Sequence, residues 1–131
     1  MIKISTNGGG AVSSFQWSTS EQVWPFEKAA DGKTIYAKMI SDTLYNGTGN
    51  WKLVNMNVPT LFSLEEVAGF VLSYGGTTTY QTRIPHTDNE NSTVEITEFI
   101  DLAAKQFKLW HTNAVWNNQP IKYYIKYTKS A

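Results

Sequence analysis

The segment Ile121-Lys122-Tyr123-Tyr124-Ile125-Lys126-Tyr127-Thr128 alternates from end to end. Side chains of an extended chain point to opposite faces in turn, so Ile121, Tyr123, Ile125 and Tyr127 form one apolar row and Lys122, Tyr124, Lys126 and Thr128 the other. Lysines on the open face predict an edge strand, where charge discourages pairing with a stray chain. A second alternating strand follows the turn signal Asp31-Gly32. Counting by twos sets Ile35, Ala37 and Met39 inward and Tyr36, Lys38 and Ile40 outward. These two strands bracket a domain.

The 131 residues suffice for one domain with a real core and are too few for two ordinary ones. Hydrophobic residues at 41% and aromatic residues at 14%, against 17% charged, predict a folded chain. Without cysteine there are no disulfides, thiolate metal sites or cysteine nucleophiles, so stability comes from packing or assembly. Eleven basic residues balance eleven acidic ones and Arg83 is the only arginine, which argues against binding nucleic acid or a membrane surface. The charges are segregated: Asp88, Glu90, Glu95, Glu98 and Asp101 precede Lys105, Lys108, Lys122, Lys126 and Lys129. Neighbouring strands that neutralise one another account for this, and a partner-binding strip is the rival. No apolar run reaches the roughly 20 residues of a membrane span, and Met1-Ile2-Lys3-Ile4 leads into polar residues, so a soluble chain without an export signal is expected.

Residues 1–20, with Gly8-Gly9-Gly10 and two Ser/Thr clusters, read as a flexible N-terminal arm ahead of a single domain over 21–131. Phe15 and Trp17 are too large and apolar for a free arm. Together with Trp24 they are candidates for docking into a groove on this subunit or a neighbour. Tyr45 to Asn50 is a loop with an Asn-Gly turn signal, after which Val54, Met56 and Val58 form an inward row. Phe62 to Val67 reads as one helical turn, with Ser63 as N-cap, Glu66 closing a capping box and Phe62 stapled to Val67. Gly75-Gly76 predicts a hairpin pairing Val71 with Tyr80 and Ser73 with Thr78, and residues 85–93 a polar surface loop. Residues 94–108 admit two readings: an amphipathic helix through Ile96, Phe99, Ile100, Ala103 and Phe107, or a hairpin turning within Leu102 to Gln106. Residues 113–120 form the loop before the last strand. About seven strands separated by turns predict an all-β fold, an antiparallel β-sandwich of jelly-roll-like type.

Catalytic patterns are scarce. His86, Asp88 and Glu90 alternate as an extended chain would present them, but such residues fill solvated loops by default and His111 lies elsewhere, so no metal site is expected. Glu65, Glu66, Glu95, Glu98 and Asp101 offer no assignable carboxylate pair, and no Gly-x-Ser-x-Gly elbow occurs. The triple glycine lacks the Gly-Lys-Ser/Thr of a phosphate loop, so neither an enzyme nor a bound cofactor is expected. Surface recognition remains. Tyr45, Asn46, Asn50 and Trp51 in one loop region, and Trp110, His111, Trp116, Asn117 and Asn118 in another, combine aromatic faces for sugar C–H groups with amides for the rim.

The Asp31-Gly32-Lys33-x-Ile35-Tyr36-x-Lys38 segment, the short strands after it and the closing Tyr127-Thr128-Lys129 resemble a module of bacteriophage structural proteins. That module occurs in head-fibre, tail-fibre and baseplate appendages as a C-terminal or stand-alone domain. The resemblance covers roughly residues 20–130, with specific motifs at its two ends. Glu21-Gln22-Val23-Trp24 occupies the place where the family has a Glu and an aromatic residue, and Pro25 to Ala30 are inserted before the Asp-Gly. The family is β throughout, which favours the hairpin over 94–108. It implies a non-enzymatic virion protein, assembled in the host cytoplasm as a homo-oligomer, commonly a trimer, beside other virion proteins, and binding a host-surface glycan or protein receptor. A purely structural capsid or tail decoration protein and a cellular carbohydrate-binding module are the alternatives.

Overall fold

A computed structural model describes residues 2–5, 12–73, 81–88 and 93–130. The described strands are β1 (Ile2–Ser5), β2 (Val12–Phe15), β3 (Gln22–Lys28), β4 (Thr34–Thr43), β5 (Lys52–Asn55), β6 (Leu61–Val71), β7 (Thr82–Ile84), β8 (His86–Asp88), β9 (Thr93–Asp101), β10 (Gln106–His111) and β11 (Pro120–Lys129). They form a hairpin β1-β2, a four-stranded sheet β5-β10-β9-β8 and a five-stranded sheet β3-β4-β11-β6-β7. The fold is an all-β antiparallel sandwich.

The chain divides into two units, to both of which β4, β6 and β11 supply residues. The first comprises Met1–Met39, Thr60–Val67 and Tyr124–Ala131; the second comprises Ile40–Pro59 and Ala68–Tyr123.

β11 lies at the centre of the five-stranded sheet rather than at an edge. Its apolar row behaves as its alternation requires, with Ile121, Tyr123, Ile125 and Tyr127 all buried. On its other face Lys126 is covered instead of guarding an edge. In the first unit the Lys126 ammonium sits 3.8 Å from the centre of the Trp24 ring and 2.5 Å from Glu66 Oε2. β4 follows its expected row through Ile35 and Ala37, but Met39, expected inward, is only half-buried while Lys38 and Ile40, expected outward, are buried, so the inward row shifts by one residue after Ala37.

In the first unit, the Asp31-Gly32 turn forms as its sequence predicts. Lys33 N–H donates to Asp31 Oδ1 (3.0 Å), Gly32 N–H donates to the Ala29 carbonyl (2.8 Å), and Gly32 takes φ +84°, open to glycine without a Cβ clash. The inserted Pro25 to Lys28 continue β3, whose register against β4 shifts between Val23 and Lys28. Within the stretch read as an arm, β1 and β2 pair antiparallel from Ile2↔Phe15 to Ser5↔Val12. Phe15 is buried, with its ring 4.9 Å from Trp24 and 5.2 Å from Trp17; Trp17 meets Tyr124 at 5.1 Å. Glu21 receives Tyr127 Oη (2.6 Å) on one carboxylate oxygen and Lys129 Nζ (2.8 Å) on the other. Burial pushes its pKa up, but these two donors outweigh that and hold it below the ordinary carboxylate range.

The helical turn expected over Phe62 to Val67 is strand β6. The groups that would have capped a helix find cross-strand partners: the Ser63 and Thr128 hydroxyls lie 2.6 Å apart and Glu66 is paired with Lys126. Tertiary pairing overrides the local signal. The one helical turn among the described residues is 3₁₀, at Ala114–Trp116, capped by Asn113 Oδ1 accepting from Val115 N–H (3.0 Å).

In the second unit the two sheets meet face to face. The Tyr123 ring of β11 stacks on Phe107 of β10 with ring centres 3.9 Å apart and planes 4° from parallel, and its hydroxyl donates to Glu98 of β9. A Cβ on Gly69 of β6 would lie 2.5 Å from the Tyr123 ring, so the glycine makes room for the stack. Val71 pairs with Thr82, which corrects the expected Val71–Tyr80 register. Beyond Val71 the chain stays alongside the start of β11: Leu72 N–H donates to the Pro120 carbonyl (2.9 Å) and the Ser73 hydroxyl to Gln119. Gly75, Gly76, Thr78 and Tyr80 lie outside the described residues. His86 to Asp88, expected in a loop, form edge strand β8 on β9, where polar side chains suit an edge. Residues 93–111 are the hairpin, not the helix. Its turn needs neither Gly nor Pro, because Asp101 Oδ1 accepts from Ala104 N–H (2.9 Å) and Lys105 takes φ +57°.

Gly69→Ala forces a methyl group into the Tyr123 ring, and overpacking of this kind costs about 1–3 kcal/mol. Urea denaturation should show that loss; wild-type stability in the variant would contradict the close approach. Burial holds the Glu98 carboxyl above its ordinary range, partly offset by the Tyr123 hydrogen bond. The folded state therefore binds its proton more tightly than the unfolded chain does. The stability this contributes is complete below the ordinary carboxylate pKa and is lost as pH rises through the raised value. Thermal melts of wild type and Glu98→Gln should converge, or cross in favour of the variant, as pH rises above the ordinary carboxylate pKa of about 4.3. A difference independent of pH would contradict this.

Candidate functional site

Inward positions of β10 are Phe107, Leu109 and His111, all buried, so Gln106, Lys108 and Trp110 face away from the core. Residues directly opposite in a ladder share a face. Lys108 faces Leu53 on β5 and Phe99 on β9, Gln106 faces Asn55 and Asp101, and Trp110 faces Thr97. Trp51, just before β5, completes this outer face: its ring centre is 5.1 Å from that of Trp110 and 5.4 Å from that of Phe99. Leu53 (48% exposed), Trp51 (39%) and Phe99 (57%) thus lie open beside the half-buried Trp110. Contiguous exposed apolar side chains framed by polar ones mark contact surfaces.

The polar frame is set by the β9–β10 hairpin. Lys108 Nζ and Asp101 Oδ2 form an ion pair at 3.0 Å, and Asp101 also accepts from the turn. The Ala104 N–H and then Lys108 hold the Asp101 carboxyl below its usual range, so it stays ionised as an acceptor at the rim. Thr97, Gln106 and Asn55 add hydroxyl and amide groups on the same face. The arrangement can lay a flat ligand against rings and hydrogen-bond its edge.

The two loops singled out in the sequence do come together. Asn118 N–H donates to the Tyr45 carbonyl (3.1 Å), Gly49 N–H donates to the His111 carbonyl (3.4 Å), and Trp51 meets Trp110. Tyr45 is exposed with Lys52 Nζ 5.5 Å from its ring centre, and Asn46, Asn50 and Asn118 are exposed alongside. Trp116 and His111 are not available to a ligand, each being 1% exposed. Trp116 donates to Glu95 Oε2 (2.7 Å) and His111 Nε2 lies 2.8 Å from Asn117 Oδ1, so these side chains fasten the loop. Phe15, Trp17 and Trp24 pack on one another in the first unit, with the Trp24 indole N–H buried and without an acceptor among the described residues.

Leu53, Phe99, Lys108, Asp101 and Thr97 are members of the patch that the loop-based reading missed. The signal was present: with the hairpin register in hand, Phe99 falls opposite Lys108 on the solvent row of β10. Among the described residues no group of His, Asp and Glu is arranged to hold a metal ion; Glu90 lies outside them. Comparison with protein-family models, with curated proteins and with solved structures found no match.

The burial contrast between the tryptophans is directly measurable. Trp51→Phe should remove much of the acrylamide-quenchable fluorescence, whereas Trp116→Phe should remove an emission that acrylamide barely reaches. Equal quenching of both residues would contradict the placement of Trp116 inside.

Proposed function

We propose that this chain is a non-enzymatic recognition module of a bacteriophage appendage, which assembles as a homo-oligomer, a trimer by its family resemblance, and contacts a glycan on the host surface. The observation that carries the binding role is the Trp51–Trp110–Phe99 patch on the outer face of the four-stranded sheet, with Lys108 and Asp101 at its rim. Sugars present flat faces of C–H groups that lie against aromatic rings while their hydroxyls bond to amides, hydroxyls and carboxylates. Rings fixed on a rigid sheet lose little freedom on binding, which favours a platform over a mobile loop. The virion setting rests on the resemblance carried by Asp31 to Lys38 and Tyr127 to Lys129.

Oligomerisation fits this role, since several weak sites on one particle gain avidity through effective concentration. The balanced net charge and the absence of disulfides agree with a subunit stabilised by assembly.

A glycan array probed with the purified chain tests the binding role, and light scattering tests the assembly. Wild type should bind a restricted set of bacterial surface glycans, and Trp51→Ala should weaken that binding by about tenfold or more. Scattering should give a multiple of the 14.8 kDa chain mass. Undiminished binding by Trp51→Ala would remove the patch from the account, and a monomer throughout the micromolar range would remove the assembly.

A further inference from the structure

The first unit contains a cavity formed by residues outside the aromatic patch. A cavity of about 390 Å³ is lined by Lys33, Thr34, Tyr36, Thr60, Lys129 and Ser130, and small-molecule sites span about 300–1,000 Å³. Every lining residue carries a hydroxyl or an ammonium group. Two of these groups are engaged: Lys129 Nζ with Glu21 Oε2 at 2.8 Å, and the Ser130 hydroxyl with the Thr60 carbonyl at 3.2 Å. The hydroxyls of Thr34, Tyr36 and Thr60 have no hydrogen-bond partner among the described residues, and the Lys33 ammonium has no ion pair there.

Two aromatic rings hold the ammonium groups of the site. Lys129 Nζ lies 4.2 Å from the centre of the Tyr36 ring, and Tyr36 stacks on Tyr127 at 6.0 Å. Lys33 Nζ rests 4.6 Å from the centre of the exposed Phe62 ring. These contacts hold both ammonium groups at the cavity rim, where they and the hydroxyls of the lining residues offer polar recognition. Lys33, Lys38 and Lys129 against the carboxylates of Glu21 and Asp31 leave one net positive charge. That balance suits a monoanion better than a doubly charged phosphate monoester, and free hydroxyls suit a ligand that itself carries hydroxyls.

We infer that this cavity binds an acidic monosaccharide unit, with its carboxylate on Lys33 and its hydroxyls on Thr34, Tyr36 and Thr60. The inference goes beyond the aromatic-patch reading and stands on different residues. An array signal lost in Trp51→Ala concerns only the patch, and the experiment below concerns only this cavity.

Amide chemical shifts of the full chain are followed while sodium glucuronate is added, with glucose and inorganic phosphate as parallel titrants. Glucuronate should shift Lys33, Thr34, Tyr36 and Thr60 in a saturable manner, and glucose should not. Tyr36→Phe keeps the ring contacts and removes one hydroxyl, and Lys33→Gln removes the charge; each should weaken glucuronate by about tenfold while the remaining spectrum stays folded. Absence of shifts at these residues, equal shifts with glucose, phosphate binding as tightly as glucuronate, or unchanged affinity in both variants would each overturn the inference.

Discussion

Tyr123 is the residue through which the second unit becomes a sandwich. Its ring needs a floor without a side chain, which Gly69 supplies, and a ceiling of matching shape, which Phe107 supplies. Its hydroxyl needs an acceptor inside the core, which Glu98 supplies. Burial and the nearby Glu98 charge keep the phenol far above its ordinary pKa, so it remains a donor. One side chain of β11 thereby joins β6, β9 and β10. With Phe107, Leu109 and Ile96 committed inward, the alternate residues Lys108, Trp110 and Phe99 must face out. The patch is the reverse side of the core's own register.

The polar connections repeat this economy. Glu21, Glu95 and Glu98 each satisfy a buried or half-buried donor from Tyr127, Trp116 or Tyr123. Acidic residues that looked in the sequence like a charged run are thus divided: some fix aromatic side chains from within, and Asp101 with Lys108 marks the rim outside. Across the neighbouring strands β9 and β10, Asp101 and Lys108 neutralise one another as the sequence reading expects.

Much of the fold could be read from alternation alone. The Ile121 to Tyr127 row, the Val54, Met56 and Val58 row and the Asp31-Gly32 turn depend on local periodicity and turn chemistry, and each forms as expected. Features that depend on partners far along the chain could not be read. Ser63 and Glu66 match a helix cap until Thr128 and Lys126 arrive beside them. The lysines of β11 match an edge until Trp24 and Glu66 cover Lys126. The candidate site was half legible for the same reason. Trp51 and Trp110 stood out by type, and the two loops do meet, but Trp116 and His111 turn inward to partners the sequence could not name. Phe99 and Leu53 became visible only once the β5–β10–β9 register was fixed.

We propose that the chain meets its target through the outer face of the four-stranded sheet, where Trp51, Trp110 and Phe99 lie together. Hydroxyl-radical footprinting of the whole chain, free and adsorbed to cells that it decorates, reads that face residue by residue. The account predicts that Trp51, Leu53 and Phe99 lose reactivity on adsorption while exposed Val23 in the first unit keeps its own. Adsorbed protein in which those three side chains react as fast as in free solution would contradict it.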